Sequence, residues 1–529
     1  MNKYLLPLLP LALGLLPASG FATPPAERPN VLFIAVDDWN DWVGCMGDAQ
    51  AQTPHVDRLA ARGMLFLNAS CAASVCNPSR AGVMSGLRPH TTGVYENATP
   101  LQTQLPDGHL TLPKYFRKHG YIAHGSGKLY HDQIGGHLHD DFDFYHFWNE
   151  HYRNWGWELG YSRPPDPAPS KRPFNRITGK TKRNFDFGPI VGSPQDMPDF
   201  KSTSFGVDFL KQDHDQPFFL AIGQFKPHLP WFAPQEYLDR YPLENIQLPP
   251  TKADDLEDLP AVALKRTNDR ASKHHLVRKF DEWKKAIQGY LACITFADAQ
   301  IGRLLDALDA SPYRDNTIIV LWSDHGYHLG EKDHWHKRTL WERSVRVPYI
   351  VVAPGVTTPG STSTAPVDLM SLYPTLVELA GLPPNPDIAG QGHSVVPLLR
   401  DPKAFWPPYA LCTHTRGNHT IRSRHYRYIR YEDGSEELYD HRTDPNEWTN
   451  LAQNPTPEIE AVLADHRTHL PAKEAPNGPS YYGGTALMKL TGSTYEWKTK
   501  AEAAGDPAFK NANKIKSQAW KEAAKKLTQ

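Results

Sequence analysis

Cysteine is scarce in this chain. Five in 529 residues are too few for a disulfide scaffold, and at most two bridges can form if one thiol is kept for chemistry. Net charge is nearly absent too. The 57 Lys and Arg against 58 Asp and Glu leave a formal charge of −1, so no global field favours nucleic acid, and an anionic ligand must be drawn by a local site. No repeat or low-complexity tract is visible, and coiled coils and collagen-like fibres are excluded. What is present is apolar material for a large core. Hydrophobic residues at 40% with 22% charged rule out disorder as the main state, and the length suggests either several domains or one large α/β domain with an appendage.

Residues 1–22 read as a secretory signal. Lys3 supplies the positive start, Leu5 to Leu16 is an apolar stretch broken by Pro7, Pro10 and Gly14, and Gly20-Phe21-Ala22 has small residues three and one before a cut. The run falls short of the ~20 apolar residues that span a bilayer. Thr23, not a cysteine, follows the cut, which argues against a lipid anchor. The mature protein is expected to be exported, with no stable membrane anchor.

From Asn30 the chain alternates between two kinds of segment. Val31 to Val36 is a continuous apolar run ending in Asp37-Asp38, as a strand buried on both faces would be. Phe218 to Gly223, Thr317 to Trp322 and Tyr349 to Ala353 repeat it, and Met64 to Ala72 reads as a further strand. Pro54 to Gly63, Leu112 to Gly120 and Ile287 to Leu308 have helical spacing, and Tyr121-Ile122-Ala123 is followed by what reads as a Gly-Ser-Gly turn. This pattern predicts an α/β fold, with a large, mostly parallel sheet covered by helices and ligands binding beyond the carboxyl ends of its strands. Residues from about 135 to 215 are aromatic, Pro-rich and non-periodic. They read as an insertion near the site, whose Tyr145, Phe147, Trp148, Tyr152, Trp155 and Trp157 either stack on a ligand or cover the core. The expected division is a catalytic domain over 23–402 and, over 403–529, a smaller α+β subdomain with an antiparallel sheet and a solvated, partly helical basic tail.

The most informative segment is Cys76-Asn77-Pro78-Ser79-Arg80, continuing to Ser85-Gly86. A cysteine here is more often a small buried hydrophobe than a nucleophile. Pro78, however, suits the first turn of a helix, which places Cys76 at the helix's positive end. The segment resembles the signature of the type I sulfatases, in which the Cys of Cys-x-Pro-x-Arg is oxidised to formylglycine before folding. Ser85-Gly86 stands where the family usually has Thr-Gly. The resemblance continues, in family order, through Asp37-Asp38, Thr53 to Leu59, Gly127-Lys128-Leu129-Tyr130-His131, Lys226-Pro227-His228, Tyr241 to Ile246, Ser323-Asp324-His325-Gly326, Lys337, and Glu437 to Asp440 with Asp444-Pro445 and Trp448 to Leu451. Its nearest branch is similar to the iduronate 2-sulfatases.

That resemblance implies an alkaline phosphatase-like fold, a sulfuric ester hydrolase, and a role for each matched residue. Asp37, Asp38, residue 76, Asp324 and His325 would hold one divalent cation. Carboxylate oxygens favour Ca²⁺, with Mg²⁺ as second choice and zinc disfavoured. The formylglycine made from Cys76 would be the nucleophile, its proton taken by Asp324, with Arg80 holding its hydroxyl. Lys128 and Lys337 would contact sulfate oxygens, His131 would take the proton that lets sulfate leave, and His228 would protonate the departing alcohol, since imidazole carries a proton near neutral pH. His90, Tyr327, His334 and Arg338 flank these positions and either contact a sugar or its carboxylate or pack the pocket wall. The implied substrate is a sulfated oligo- or polysaccharide, with a 2-O-sulfated uronic acid as first guess. The implied partner is a formylglycine-generating enzyme, and the implied location is periplasmic or secreted, or lysosomal in an animal. Two other readings stay open: a phosphatase or phosphodiesterase of the same superfamily, and a glycan-binding protein on an inactive sulfatase scaffold. Three sequons, at Asn68, Asn97 and Asn418, matter only in a host that glycosylates. Cys45 is expected to be a packed free thiol.

Overall fold

Eight segments pair into one sheet in the computed structural model, which describes residues 28–131, 141–147, 174, 177, 185–190, 192–407, 409–478, 486–491 and 494–499. They are β1 (Asn30–Asp37), β2 (Met64–Phe66), β3 (Ile122–Gly127), β4 (Phe144–Phe147), β5 (Phe218–Pro227), β6 (Thr317–Ser323), β7 (Tyr349–Val352) and β8 (Ser361–Ser363). The spatial order is β8-β2-β7-β6-β1-β5-β3-β4. All neighbours run parallel except β7, which is antiparallel to both β2 and β6. β1 lies between β5 and β6, so the three longest strands end side by side, and each ends on residues expected at the site.

The alternation of β1 shows why it is apolar throughout. Leu32, Ile34 and Val36 enter one core, and Val31, Phe33 and Ala35 enter the other. Helices α1 (Pro54–Ala60), α4 (Pro198–Leu210) and the 27-residue α5 (Trp283–Asp309) contribute to the first core, and α2 (Cys76–Ser85) and α3 (Leu112–Lys118) to the second.

Several local expectations are corrected. Met64 to Ala72 is not one strand: β2 stops at Phe66, and Ala69–Ser70 pairs separately with Val367–Asp368. Gly125-Ser126-Gly127 is not a turn but the end of β3, paired with Ala221, Ile222 and Gly223 of β5. The glycines are there for closeness. Gly127 has φ +82°, and a Cβ on it would lie 2.0 Å from the Gly223 carbonyl oxygen; one on Gly223 would lie 2.2 Å from that of Lys128. Side chains at either position would push Lys128 off its strand end. The stretch 135–215 is not uniformly irregular, because α4 packs there against β3, β5 and α5. Trp148, Tyr152, Trp155 and Trp157 lie outside the described residues, as do residues 1–22. At the start of the tail, Ala486–Thr491 and Thr494–Thr499 form an antiparallel hairpin, and residues 500–529 lie outside the described residues. No helix among the described residues is long and apolar enough to cross a membrane.

After Pro402 a separate sheet forms from β9 (Ala410–Thr413), β10 (His419–Arg422), β11 (Tyr426–Arg430) and β12 (Glu436–Asp440), all antiparallel. A helix, α6 (Pro457–Arg467), places Leu463 against Ile421, Tyr428 and Leu438. A buried ionic knot fixes this sheet to the segment that follows Lys337. Arg427, fully buried, places Nε 2.6 Å from Glu447 and donates an Nη2 hydrogen bond to Glu342. Replacing Arg427 with Met removes the nearest cation from two buried carboxylates, which keep Arg422 and His441 as neighbours, and we expect a loss of about 1.5–3 kcal/mol, read as a lower urea midpoint at unchanged slope.

The three sequons are not free surface sites. Asn68 and Asn418 are buried, and each donates its side-chain amide to backbone carbonyls: Asn68 to Thr364 and Ser423 at 3.4 Å, and Asn418 to Arg416 at 2.8 Å. Asn97 is half-buried and accepts from the Asn77 backbone at 3.0 Å.

Candidate active site

Three strand ends and one helix start converge on Cys76. β1 delivers Asp37 and Asp38, β6 delivers Asp324 and His325, and the loop after β5 delivers His228. Cys76 is the first residue of α2, after Val75 in extended conformation, so its side chain sits where unpaired backbone N–H groups favour negative charge. Chain direction at two points is forced: Asp38 has φ +61° and Arg338 φ +79°. For residues other than glycine such angles cost roughly 1–3 kcal/mol and persist only where the surroundings impose them.

The charged groups are close and buried. Lys337 Nζ is 3.2 Å from Cys76 Sγ and 2.5 Å from Asp38 Oδ1. Lys128 Nζ donates to Asp37 Oδ2 and lies 5.1 Å from the centre of the Phe225 ring. His325 Nδ1 donates to the Gly326 carbonyl, an acceptor only, so Nε2 is the atom presented to the site. It lies 3.2 Å from Cys76 Sγ, 3.4 Å from Asp38 Oδ1 and 3.6 Å from Asp324 Oδ1. His228 is fixed in the same way. Its Nδ1 donates to the Leu229 carbonyl at 2.6 Å, leaving Nε2 3.8 Å from Asp38 Oδ2 on the side nearer solvent. His131 is buried close enough to Cys76 for each to influence the other's ionisation.

Arg80 is largely committed to its own scaffold. Its Nε bonds Asp324 Oδ2 at 2.8 Å, and its two terminal nitrogens bond the carbonyls of Val36, Lys128 and Leu129. Four of its five N–H groups thus hold Asp324 and three backbone segments in place, and Nη2 also lies 3.7 Å from Asp37 Oδ1. Its charge reaches residue 76 through space.

The electrostatics follow from this crowding. Burial opposes ionisation of Cys76, but Lys128, Lys337 and His325 outweigh it and hold the thiol well below its ordinary range. Burial likewise opposes ionisation of Asp37, and Lys128 again wins. Asp324 goes the other way: burial, helped by Asp37, pushes it up to about 7 despite Arg80. Burial lowers His131 to about 4, whereas for His325 the neighbouring Asp324 and Cys76 overcome burial and raise it to about 9.

These residues fit a bound cation. One donor atom from each of Asp37, Cys76, Asp324 and His325 lies within 4.8 Å of the others. Asp37 Oδ1 and Asp38 Oδ2 are buried without a hydrogen-bond partner, an arrangement that calls for a positive ligand. A set of three carboxylates and one imidazole suits a hard divalent ion. Another cluster with ligand-type side chains, Glu342, His441 and Glu447, is already neutralised by Arg427.

The four expected substrate residues divide. Arg338, part-exposed, pairs with Glu96 at 3.2 Å, and its backbone N–H holds the Ser74 carbonyl at 3.0 Å, so it sits on the rim. His334 is buried, with Nε2 3.2 Å from the Lys337 carbonyl, beneath the lysine's backbone. Tyr327 is fully buried against Trp231 and Tyr290, as pocket wall. His90 lies outside the cluster and packs edge-on to His419. Residue reading missed Ser79, whose hydroxyl donates to the Asp324 carbonyl at 2.6 Å, and the rim carboxylate Glu96. Neither carries a local signal, since a single hydroxyl or carboxylate acquires a partner only once distant segments meet.

Comparison with known proteins bears on the family and the fold. A family model described as Sulfatase matches residues 29–382, and one described as N-sulphoglucosamine sulphohydrolase, C-terminal, matches 330–474. A protein named Sulfatase from Formosa agariphila is 41% identical over 445 residues, covering 81% of this chain and 84% of that one. Iduronate 2-sulfatase from Homo sapiens is 33% identical over 398 residues, covering 67% and 69%. A solved structure of a 2-O GAG sulfatase superposes with a TM-score of 0.63 at 24% identity, covering 84% of this chain and 91% of that one, which bears on the fold.

Proposed function

Because the chain belongs to the sulfatase family and is therefore a sulfuric ester hydrolase, we propose that it is exported and removes sulfate from a sulfated carbohydrate, with a 2-O-sulfated uronic acid as first substrate, through a formylglycine made from Cys76. The observation that carries this reading is the position of residue 76, with one lysine 3.2 Å from its sulfur and two histidines in reach. An anionic ester repels nucleophiles and has a poor leaving group. The site therefore needs positive charge around the sulfuryl oxygens, a strong nucleophile and a proton donor.

Oxidised and hydrated, residue 76 supplies two hydroxyls on one carbon, one to attack sulfur and one to expel the sulfate. A divalent cation held by Asp37, Asp38, Asp324 and His325, Ca²⁺ for preference, supplies charge that favours the deprotonated nucleophile and the developing negative oxygens. The chain's own groups do the rest. Arg80 keeps Asp324 oriented to take the first proton. Lys128 and Lys337 meet the sulfuryl oxygens, and each is already held on a carboxylate, so little reorganisation is needed. His228 gives a proton to the departing alcohol from Nε2, and His131, neutral in its buried position, takes the proton of the second hydroxyl. Arg338 on the rim offers a planar fork for the sugar's carboxylate.

Lys337→Ala should lower kcat/KM by about 10²–10³. Lys337→Arg should not restore it, because the ammonium is boxed between Asp38 and residue 76 and a guanidinium does not fit there. The function itself is tested by peptide mass spectrometry across residue 76 followed by a desulfation screen on defined sulfated disaccharides. Formylglycine at 76 with no sulfate released from any glycan would overturn it. Two zinc ions per chain with phosphate esters turned over far faster than sulfate esters would favour the phosphatase reading.

A further inference from the structure

One cysteine pair has no part in this chemistry. Cys71 Sγ and Cys412 Sγ are 3.7 Å apart, both fully buried and both free thiols. The other two thiols have different neighbours: Cys293 faces the Phe232 carbonyl and Cys45 lies beside Asp57. Cys71 follows the Ala69–Ser70 strand, five residues before the nucleophile position, and Cys412 is in β9. The backbones run alongside each other there, with the Thr413 N–H donating to the Ala72 carbonyl at 3.1 Å. Sulfurs 3.7 Å apart on neighbouring, hydrogen-bonded backbones are close to the arrangement of a disulfide, whose Cα atoms are usually roughly 4.4–6.8 Å apart. Bringing the sulfurs to bonding distance, about 2.0 Å, closes a gap of about 1.7 Å from the 3.7 Å between them.

We propose that Cys71 and Cys412 are joined as a disulfide in the exported protein, a covalent tie between the segment that carries residue 76 and the first strand of the C-terminal sheet. The two thiols give up two protons and two electrons as the S–S bond forms. The electrons pass to the disulfide of a thiol oxidant, a dithiol oxidase or a small-molecule disulfide, which leaves as two thiols. The step proceeds by mixed disulfide: one cysteine thiolate attacks the oxidant, and the second displaces it. Burial, and then the neighbouring Cys412, push the Cys71 thiol well up, so exchange in the closed protein is slow and the bond forms as the C-terminal sheet docks. The bond closes a span of 341 residues, the long-loop case in which a crosslink most restricts the unfolded chain.

The proposal rests on export to an oxidising compartment, so the test supplies export independently. The full chain is sent to such a compartment behind a leader of known function, denatured with an alkylating agent but no reductant, and digested for mass mapping. The expected result is a linked pair of peptides bearing residues 71 and 412, 2 Da lighter than their sum, with Cys45 and Cys293 alkylated. In the Cys412→Ser variant, Cys71 should become alkylated. Alkylation of both Cys71 and Cys412 in the unreduced protein would overturn the proposal, as would a Cys71 that stays blocked in Cys412→Ser. The state of residue 76 is read in the same digest, so failure of the sulfatase mechanism would be seen separately.

Discussion

Cys76→Ala should lower sulfate release by at least about 10⁴-fold, because removing a nucleophile that acts as one unit with its neighbours costs nearly the whole of its contribution. The protein should still fold. Cys76 makes no hydrogen bond on which an element depends, and its removal leaves Lys337 on Asp38 and Arg80 on Asp324. The change removes only the end of one side chain and leaves the ion pairs around it in place, so Tm should change little. The check is paired: turnover on the best glycan from the screen, and thermal unfolding of the same preparation. A variant that keeps full activity would remove the mechanism, whereas a variant that fails to fold would show residue 76 to be structural.

His228→Ala should have the second largest effect, and its size should depend on the substrate. A positioned acid is worth about 10²–10⁴ when the leaving group is poor. On a sugar sulfate the departing alkoxide needs the proton, and a loss of that order is expected. On an aryl sulfate with an acidic phenol the leaving group departs unaided, and the loss should shrink to a few-fold. The geometry supports that division of labour. With Nδ1 committed to the Leu229 carbonyl, His228 has one free nitrogen, on the part-exposed side of the cluster and 3.8 Å from Asp38. An equal loss on both substrates would mean that the imidazole places Asp38 or the sugar and transfers no proton.

Much of this site was legible before any coordinates because its residues sit at the ends of strands with unambiguous patterning. A short all-apolar run rich in β-branched residues, such as Val31 to Val36, fits a strand covered on both faces, which puts the polar residues that follow at the sheet's rim. The same holds for Phe218 to Gly223 with His228 and for Thr317 to Trp322 with Asp324. The helix starting at Cys76 was legible through Pro78. What failed was local propensity where tertiary contact decides. Gly-Ser-Gly at 125–127 has the composition of a turn, yet the strand needs those glycines because β5 presses against it. The helix over Pro198–Leu210 was hidden by the irregular residues before it. Arg80 was matched to a direct contact with residue 76, but a motif fixes position and leaves hydrogen-bond partners undetermined. Three carbonyls and Asp324 take four of its five N–H groups.

The amide of Asn68 has a practical bearing on how the protein can be produced. It reaches from the strand-bearing half of the molecule to the Ser423 carbonyl beside the C-terminal sheet, and it is also the nitrogen that a eukaryotic secretory host would glycosylate in Asn68-Ala69-Ser70. Oligosaccharide is attached there while the chain is still being threaded, before that seam has closed. A sugar on this nitrogen would wedge the two halves apart, so yeast or mammalian secretion would yield a mixture of correctly closed and jammed molecules unless Ser70 were first changed to a residue that the transferase ignores.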